Sequence, residues 1–130
     1  MILLHEYPGN DGDVLNLGQR LADYSINALT FNYSGTWRSE ELYGPATSLT
    51  NIQAAIVYVK SKHCLNTFNI DTTNISLVGY SYGGGMALLG SLHNENVKKA
   101  ISIEGGDLRV VADMSEESPE FRKFHQQFLD

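Results

Sequence analysis

Ser81 is the residue through which chemistry can first be read into this chain. It stands in Gly79-Tyr80-Ser81-Tyr82-Gly83, between the apolar run Ile75-Ser76-Leu77-Val78 and a segment with Met86, Leu89 and Leu92 at helical spacing. The pattern is a strand, one serine on a glycine-flanked turn, and a helix, which is the context in which a G-x-S-x-G turn presents a nucleophile. A serine thrown out at such a corner needs strained backbone angles, enforced by the elements packed on either side. The residues two before and two after it come close together, so Gly79 and Gly83 leave out side chains that would collide. The hydroxyl then stands at a helix N-terminus, whose N–H groups and dipole favour a developing oxyanion. The glycines are not spaced for a dinucleotide loop, and no Lys-Ser or Lys-Thr follows them as a P-loop requires.

Such a serine must be held by a sheet, and the rest of the chain supplies one. Ile2-Leu3-Leu4-His5 reads as a short buried strand, ended by the turn-rich run from Glu6 to Gly12. A helix is expected from about Asp13, capped by Asp11 or Asp13, with Val14, Leu17, Leu21 and Tyr24 along one face. Ala28 to Tyr33, rich in aromatic residues, reads as the second strand. A long loop from Ser34 to Thr47 carries Trp37, Arg38, Glu40 and Glu41. Thr50 with Gln53 has a capping-box pattern for a second helix, whose start can lie as early as Pro45. Asn66 to Asn74 reads as loop, and Ala100 to Glu104 as the fourth strand. The alternation predicts an α/β fold, a parallel sheet of about four strands in the order 2-1-3-4 with helices on both faces. In that order the loop after the first strand lies beside Ser81. The N–H of Tyr82 and one from that loop would form an oxyanion hole.

After Asp107 the rhythm breaks, which divides the chain into a core (1–107) and a helical segment (108–130). Leu108, Val111 and Met114 suggest one helical turn, and Ser118-Pro119 starts a helix with Phe121, Phe124 and Phe128 on one face. That helix is expected to form a cap or lid over the site, or else to cover a sheet face.

Composition narrows the function classes. The 130 residues suffice for one domain, and 42% hydrophobic with 18% charged residues is ordinary for a globular protein. A net charge of −6 argues against nucleic acid or an anionic membrane as partner. No run approaches a membrane span, and Met1 leads straight into Ile2-Leu3-Leu4 with no basic start, so a cytoplasmic location is expected. Cys64 is single, has no metal-ligand spacing around it, and is expected as a half-buried thiol at a helix end. No metal and no cofactor are expected.

These residues resemble the central part of an α/β-hydrolase, closest to the prolyl-oligopeptidase-like and dienelactone-hydrolase-like serine hydrolases. His5-Glu6-Tyr7-Pro8-Gly9 is similar to the His-Gly-x-Pro oxyanion loop of that superfamily, and Gly79-Tyr80-Ser81-Tyr82-Gly83 to its nucleophile elbow. The resemblance covers Ile2 to Asp107 and implies hydrolysis of an ester or a peptide bond. Ser81 is then the nucleophile, Tyr82 and Tyr7 give the oxyanion N–H groups, and His5 braces the first loop. Glu6 departs from the pattern, since it stands where the family usually has glycine. In this family the acid and the histidine follow the serine on later loops. The histidine is therefore expected beyond Asp130, in a longer chain of which this is a fragment. Within the 130 residues, Asp107 and His125 are the acid and base candidates, with Glu104 a further acid. His93 reads as a surface histidine at the far end of the elbow helix.

The expected partner is a small-molecule or peptide substrate. Self-association through exposed sheet edges is also expected, because both edge strands read as apolar. Tyr80, Trp37 and the phenylalanine helix would line the substrate pocket. A non-catalytic binding or scaffold domain of the same fold is the alternative, and the isolated 130 residues are expected to be inactive. A flavodoxin-like binding domain would need a phosphate-cradling first loop, which Glu6 and Pro8 suit poorly.

Overall fold

The computed structural model describes residues 1–12 and 14–120. Three short strands form a parallel sheet in the order β1-β2-β3: β1 is Ile2–Leu4, β2 Ile75–Tyr80 and β3 Val97–Ile103. The central strand, β2, pairs Ile2 with Leu77 and Leu4 with Gly79 on one side, and Leu77 with Ala100 and Tyr80 with Ile103 on the other. Among the described residues, five helices accompany the sheet: α1 (Leu17–Asp23), α2 (Pro45–Val59), α3 (Lys62–Phe68), α4 (Tyr82–Leu92) and α5 (Leu108–Glu117). Side chains alternate across a strand, so neighbours in sequence enter different clusters. Ile2, Leu4 and Leu77 pack with Ile52 and Ile56 of α2 and with Met86 and Ala87 of α4. Leu3 and Val78 pack with Val14, and Leu17 and Leu21 of α1 lie against them. Among the described residues, no helix is long and apolar enough to cross a membrane.

Among the described residues the sheet has three strands where about four were expected. Residues 28–33 do run beside β1, but they make only one parallel bridge, between Ile2 and Leu29. Leu3 N donates to Leu29 O and Leu29 N to Met1 O. The reason lies in both partners. β1 is three residues long and offers little edge. Past Leu29, moreover, the polar side chains hold the first loop: Thr30 Oγ1 donates to Asp11 O, and Asn32 Oδ1 accepts from Asp11 N.

β3 begins three residues before the expected strand and is not buried. Lys98, Lys99, Ile101 and Ser102 are exposed along it. Lysines on an edge strand discourage further pairing, so this edge is not the unprotected apolar one expected.

Several helix boundaries also differ. Leu15 and Asn16 have φ of 53° and 55°, which breaks the backbone and delays α1 to Leu17. Pro45 starts α2, so Thr50 is interior and its hydroxyl donates back to Ala46 O instead of capping. Residues 66–68, expected as loop, are helical in α3, which Ser61 caps by accepting from Cys64 N. Cys64 is fully buried there, not half-buried. α5 runs ten residues, longer than the single turn expected. Phe121, Phe124 and Phe128 lie outside the described residues, as does Asp13.

Candidate active site

Ser81 sits at the junction of β2 and α4 with φ 52° and ψ −117°. An L-residue held there costs about 1–3 kcal/mol and persists only when its surroundings over-determine it. Here they do. Ser81 N donates to Ile103 O (3.0 Å), and Ser81 O accepts from Gly84 N (2.9 Å), Gly85 N (3.2 Å) and Gly106 N (3.0 Å). The two flanking glycines meet different obstacles. A Cβ at Gly79 would overlap the Gly83 carbonyl and come within 2.6 Å of Gly84 N. One at Gly83 would overlap Leu4 O and lie 2.6 Å from His5 O. The end of β1, at Leu4 and His5, therefore touches the serine turn at Gly83.

Tyr82 is the first residue of α4, so its amide has no partner within the helix. Its side chain turns inward, and its hydroxyl donates to the buried Ser48 Oγ at 2.9 Å. Around it lies an aromatic cluster that the sequence reading missed. The Tyr33 and Tyr43 rings lie 5.5 and 5.4 Å from the Tyr82 ring, and Tyr7 stacks on Tyr43 at 4.8 Å. The phenols stay protonated, since burial raises the pKa of Tyr33, Tyr43 and Tyr82 above the ordinary 10.0. The one signal in the sequence was the count of seven tyrosines. Tyr80, by contrast, packs beside Leu3 and Val78, as a core residue does.

His5 joins this cluster from below the first loop. It is 2% exposed, its ring lies 4.6 Å from that of Tyr33, and its Nδ1 is 2.6 Å from Glu6 O. A hydrogen bond from Nδ1 to the carbonyl of the next residue is a brace for the turn. Burial lowers the His5 pKa from the ordinary 6.5, against the smaller opposing effects of the Glu6 carbonyl and carboxylate. A depressed histidine pKa means that the unfolded chain takes up the proton first as the pH falls. The contribution of His5 is then complete above pH 6.5 and is lost as the pH drops below it. Denaturant midpoints should fall between about pH 7 and 5, and more steeply than in His5→Asn. Equal slopes in the two proteins would show that His5 does not stay neutral in the fold.

The loop after β3 also reaches the serine turn, through the bond from Gly106 N to Ser81 O. Its two carboxylates differ. Glu104 has φ 47° and is exposed, while Asp107 accepts from Arg109 N at 2.9 Å and so caps the start of α5. His93 ends α4, with Nδ1 2.9 Å from Leu89 O, and is exposed. The remaining described histidine, His63, lies in α3. His125 lies outside the described residues. Among the described residues no group of three or more His, Cys, Asp or Glu side chains is placed to hold a metal ion. An apolar cavity of about 190 Å³ opens at the other end of the sheet, by the starts of β1 and β2, against Ile2, Val59, Cys64 and Ile75. It is remote from Ser81 by topology.

No family model matches the chain, and no curated protein matches it significantly.

Proposed function

We propose that this chain carries the nucleophile part of a serine hydrolase of the α/β-hydrolase kind, acting on a carboxylic ester or an amide. The observation that carries this is the Ser81 backbone, φ 52° and ψ −117° at a strand-to-helix corner. Strain of that kind, at a serine set between Gly79 and Gly83 on a strand-to-helix turn, is what a nucleophile turn uses. Residues 28–33 would complete a sheet of order 2-1-3-4, with helices on both faces, and the Ile2–Leu29 bridge supports that placement.

In this mechanism Ser81 Oγ attacks the substrate carbonyl carbon as a histidine takes the hydroxyl proton. The Tyr82 N–H and one from Tyr7 bind the oxyanion, and one such donor is typically worth about 2.7–4 kcal/mol in the transition state. Collapse expels the alcohol or amine, which carries away the proton from the histidine. Water then releases the acid and restores Ser81. None of the described histidines suits the part of base. His5 is turned to Glu6, and His63 and His93 lie on α3 and at the far end of α4. His125 or a histidine outside these residues takes it, with Asp107 or a further carboxylate to orient the ring.

In a protein that includes the base, a fluorophosphonate probe should label Ser81 and leave Ser81→Ala unlabelled. Turnover of an activated ester by the 130 residues alone should be slow, because loss of a triad member commonly costs about 10⁴-fold. Equal labelling of both proteins, or of neither, would leave the non-catalytic binding domain as the better account. Fast turnover dependent on Ser81 would instead make His125, with Asp107 or Glu104, the pair to mutate.

A further inference from the structure

Trp37 is the only tryptophan in the chain, and it stands in the open, 67% exposed. Its backbone is in the left-handed region, with φ 53°, where a bulky residue is an outlier. The loop around it is nonetheless tightly built. Gly35 N donates to Glu40 O, Ser39 N to Thr36 O, and the buried Thr36 hydroxyl to Tyr33 O. The indole Nε1 donates to Gly9 O, in the loop that follows β1. From there the contacts lead to the serine turn. Gly9 leaves no room for a Cβ against His5 Nδ1 and Glu6 O, and the His5 and Leu4 carbonyls lie against Gly83. Leu42, in the same loop as Trp37, is 83% exposed.

We infer that Trp37 is the platform on which the apolar portion of the substrate rests, an alkyl chain or aryl ring carried by the ester or amide whose carbonyl reaches Ser81. This rests on Ser81 being the nucleophile. A surface indole that packed only within its own loop would be covered by it. This one is held outward by a strained backbone and fixed by its one polar atom, so that its apolar ring stays available next to the oxyanion loop. Strained residues persist where function uses them. Arg38 is outnumbered in this loop by Glu40 and Glu41, and the whole chain has net charge −6. Both features disfavour an anionic group on the platform, so the preferred substrate is neutral or cationic there.

Two fluorophosphonates, one carrying a hexyl group and one a methyl group, test this on the full chain. The hexyl probe should label Ser81 faster than the methyl probe, and Trp37→Ala should lower that ratio about tenfold. Trp37→Phe, which loses the Nε1 bond but keeps a ring, should hold most of it. Trp37 emission should shift to the blue on labelling with the hexyl probe and much less with the methyl probe, and Trp37→Phe should abolish the shift. The methyl rate serves as the control for folding in each variant. An unchanged hexyl-to-methyl ratio in Trp37→Ala, with Ser81 still labelled, would overturn the platform and leave the nucleophile in place. No labelling of Ser81 by either probe in any protein would remove both together.

Discussion

Gly83→Ala will lower the unfolding free energy by about 3 kcal/mol or more, while Gly106→Ala will change it by less than about 0.5 kcal/mol. The contrast comes from what each new methyl group meets. At Gly83 it would overlap Leu4 O and lie 2.5 Å from the Leu4 carbonyl carbon, and all three obstacles, His5 O included, are backbone atoms. That backbone cannot move aside. β1 is fixed by its ladder to β2 and by the bonds that join Met1 and Leu3 to Leu29. Overpacking ordinarily costs 1–3 kcal/mol, with flexible side chains giving way; a clash between two fixed backbones has no such relief. At Gly106 nothing lies within 4 Å, and alanine keeps the N–H that binds Ser81 O. Urea unfolding followed by circular dichroism measures both. A Gly83→Ala midpoint close to that of the parent would mean that β1 does not press on the serine turn.

Ser81→Gly should separate the chemical role proposed for Ser81 from its backbone strain. On the proposed mechanism, ester turnover dependent on Ser81 should fall by at least about 10⁴-fold, as expected when a nucleophile is removed. Stability should rise by roughly 1 kcal/mol. The strain at φ 52° and ψ −117° is worth about 1–3 kcal/mol for an L-residue and vanishes for glycine, offset by the extra chain entropy that glycine loses on folding. Ser81→Ala keeps the Cβ and hence the strain, so it should be as inactive as the glycine variant without being more stable than the parent. Thermal melts of the three proteins decide it. A glycine variant less stable than the alanine variant would show that the serine conformation is not strained.

The serine turn was legible because its spacing encodes a close approach of backbones, which no tertiary context can rewrite. The strands at Ile2 and Ile75 were legible because their short apolar runs end at turn residues. Ala28 to Tyr33 was only partly legible, because aromatic composition signals burial as much as pairing. Tyr33 is fully buried, but as a member of the cluster with His5, Tyr43 and Tyr82, while its stretch makes one bridge. Tyr43 sits in a loop without periodicity, so nothing local marks it as buried. The Thr50 pattern was overruled by Pro45, whose fixed φ favours a helix start five residues earlier. Asp107 was legible as a carboxylate near the site, but its bond to Arg109 N depends on α5, which read as a single turn.

The start of α4 bears on the order in which the chain folds. Gly83, Gly84 and Gly85 open this helix and are pressed in turn by the end of β1, by Ser102 and Gly105, and by Leu108. Each glycine weakens an isolated helix by about 1 kcal/mol relative to alanine, so this turn has little tendency to form alone. The first turn of α4 is expected to take shape after β1 and the loop beyond β3 have closed on it. Methyl deletions at Ile52 or Leu77 should therefore slow folding, whereas a change at Ser81 should act mainly on unfolding. On this expectation the part that would do the chemistry assembles late, once its neighbours are in place.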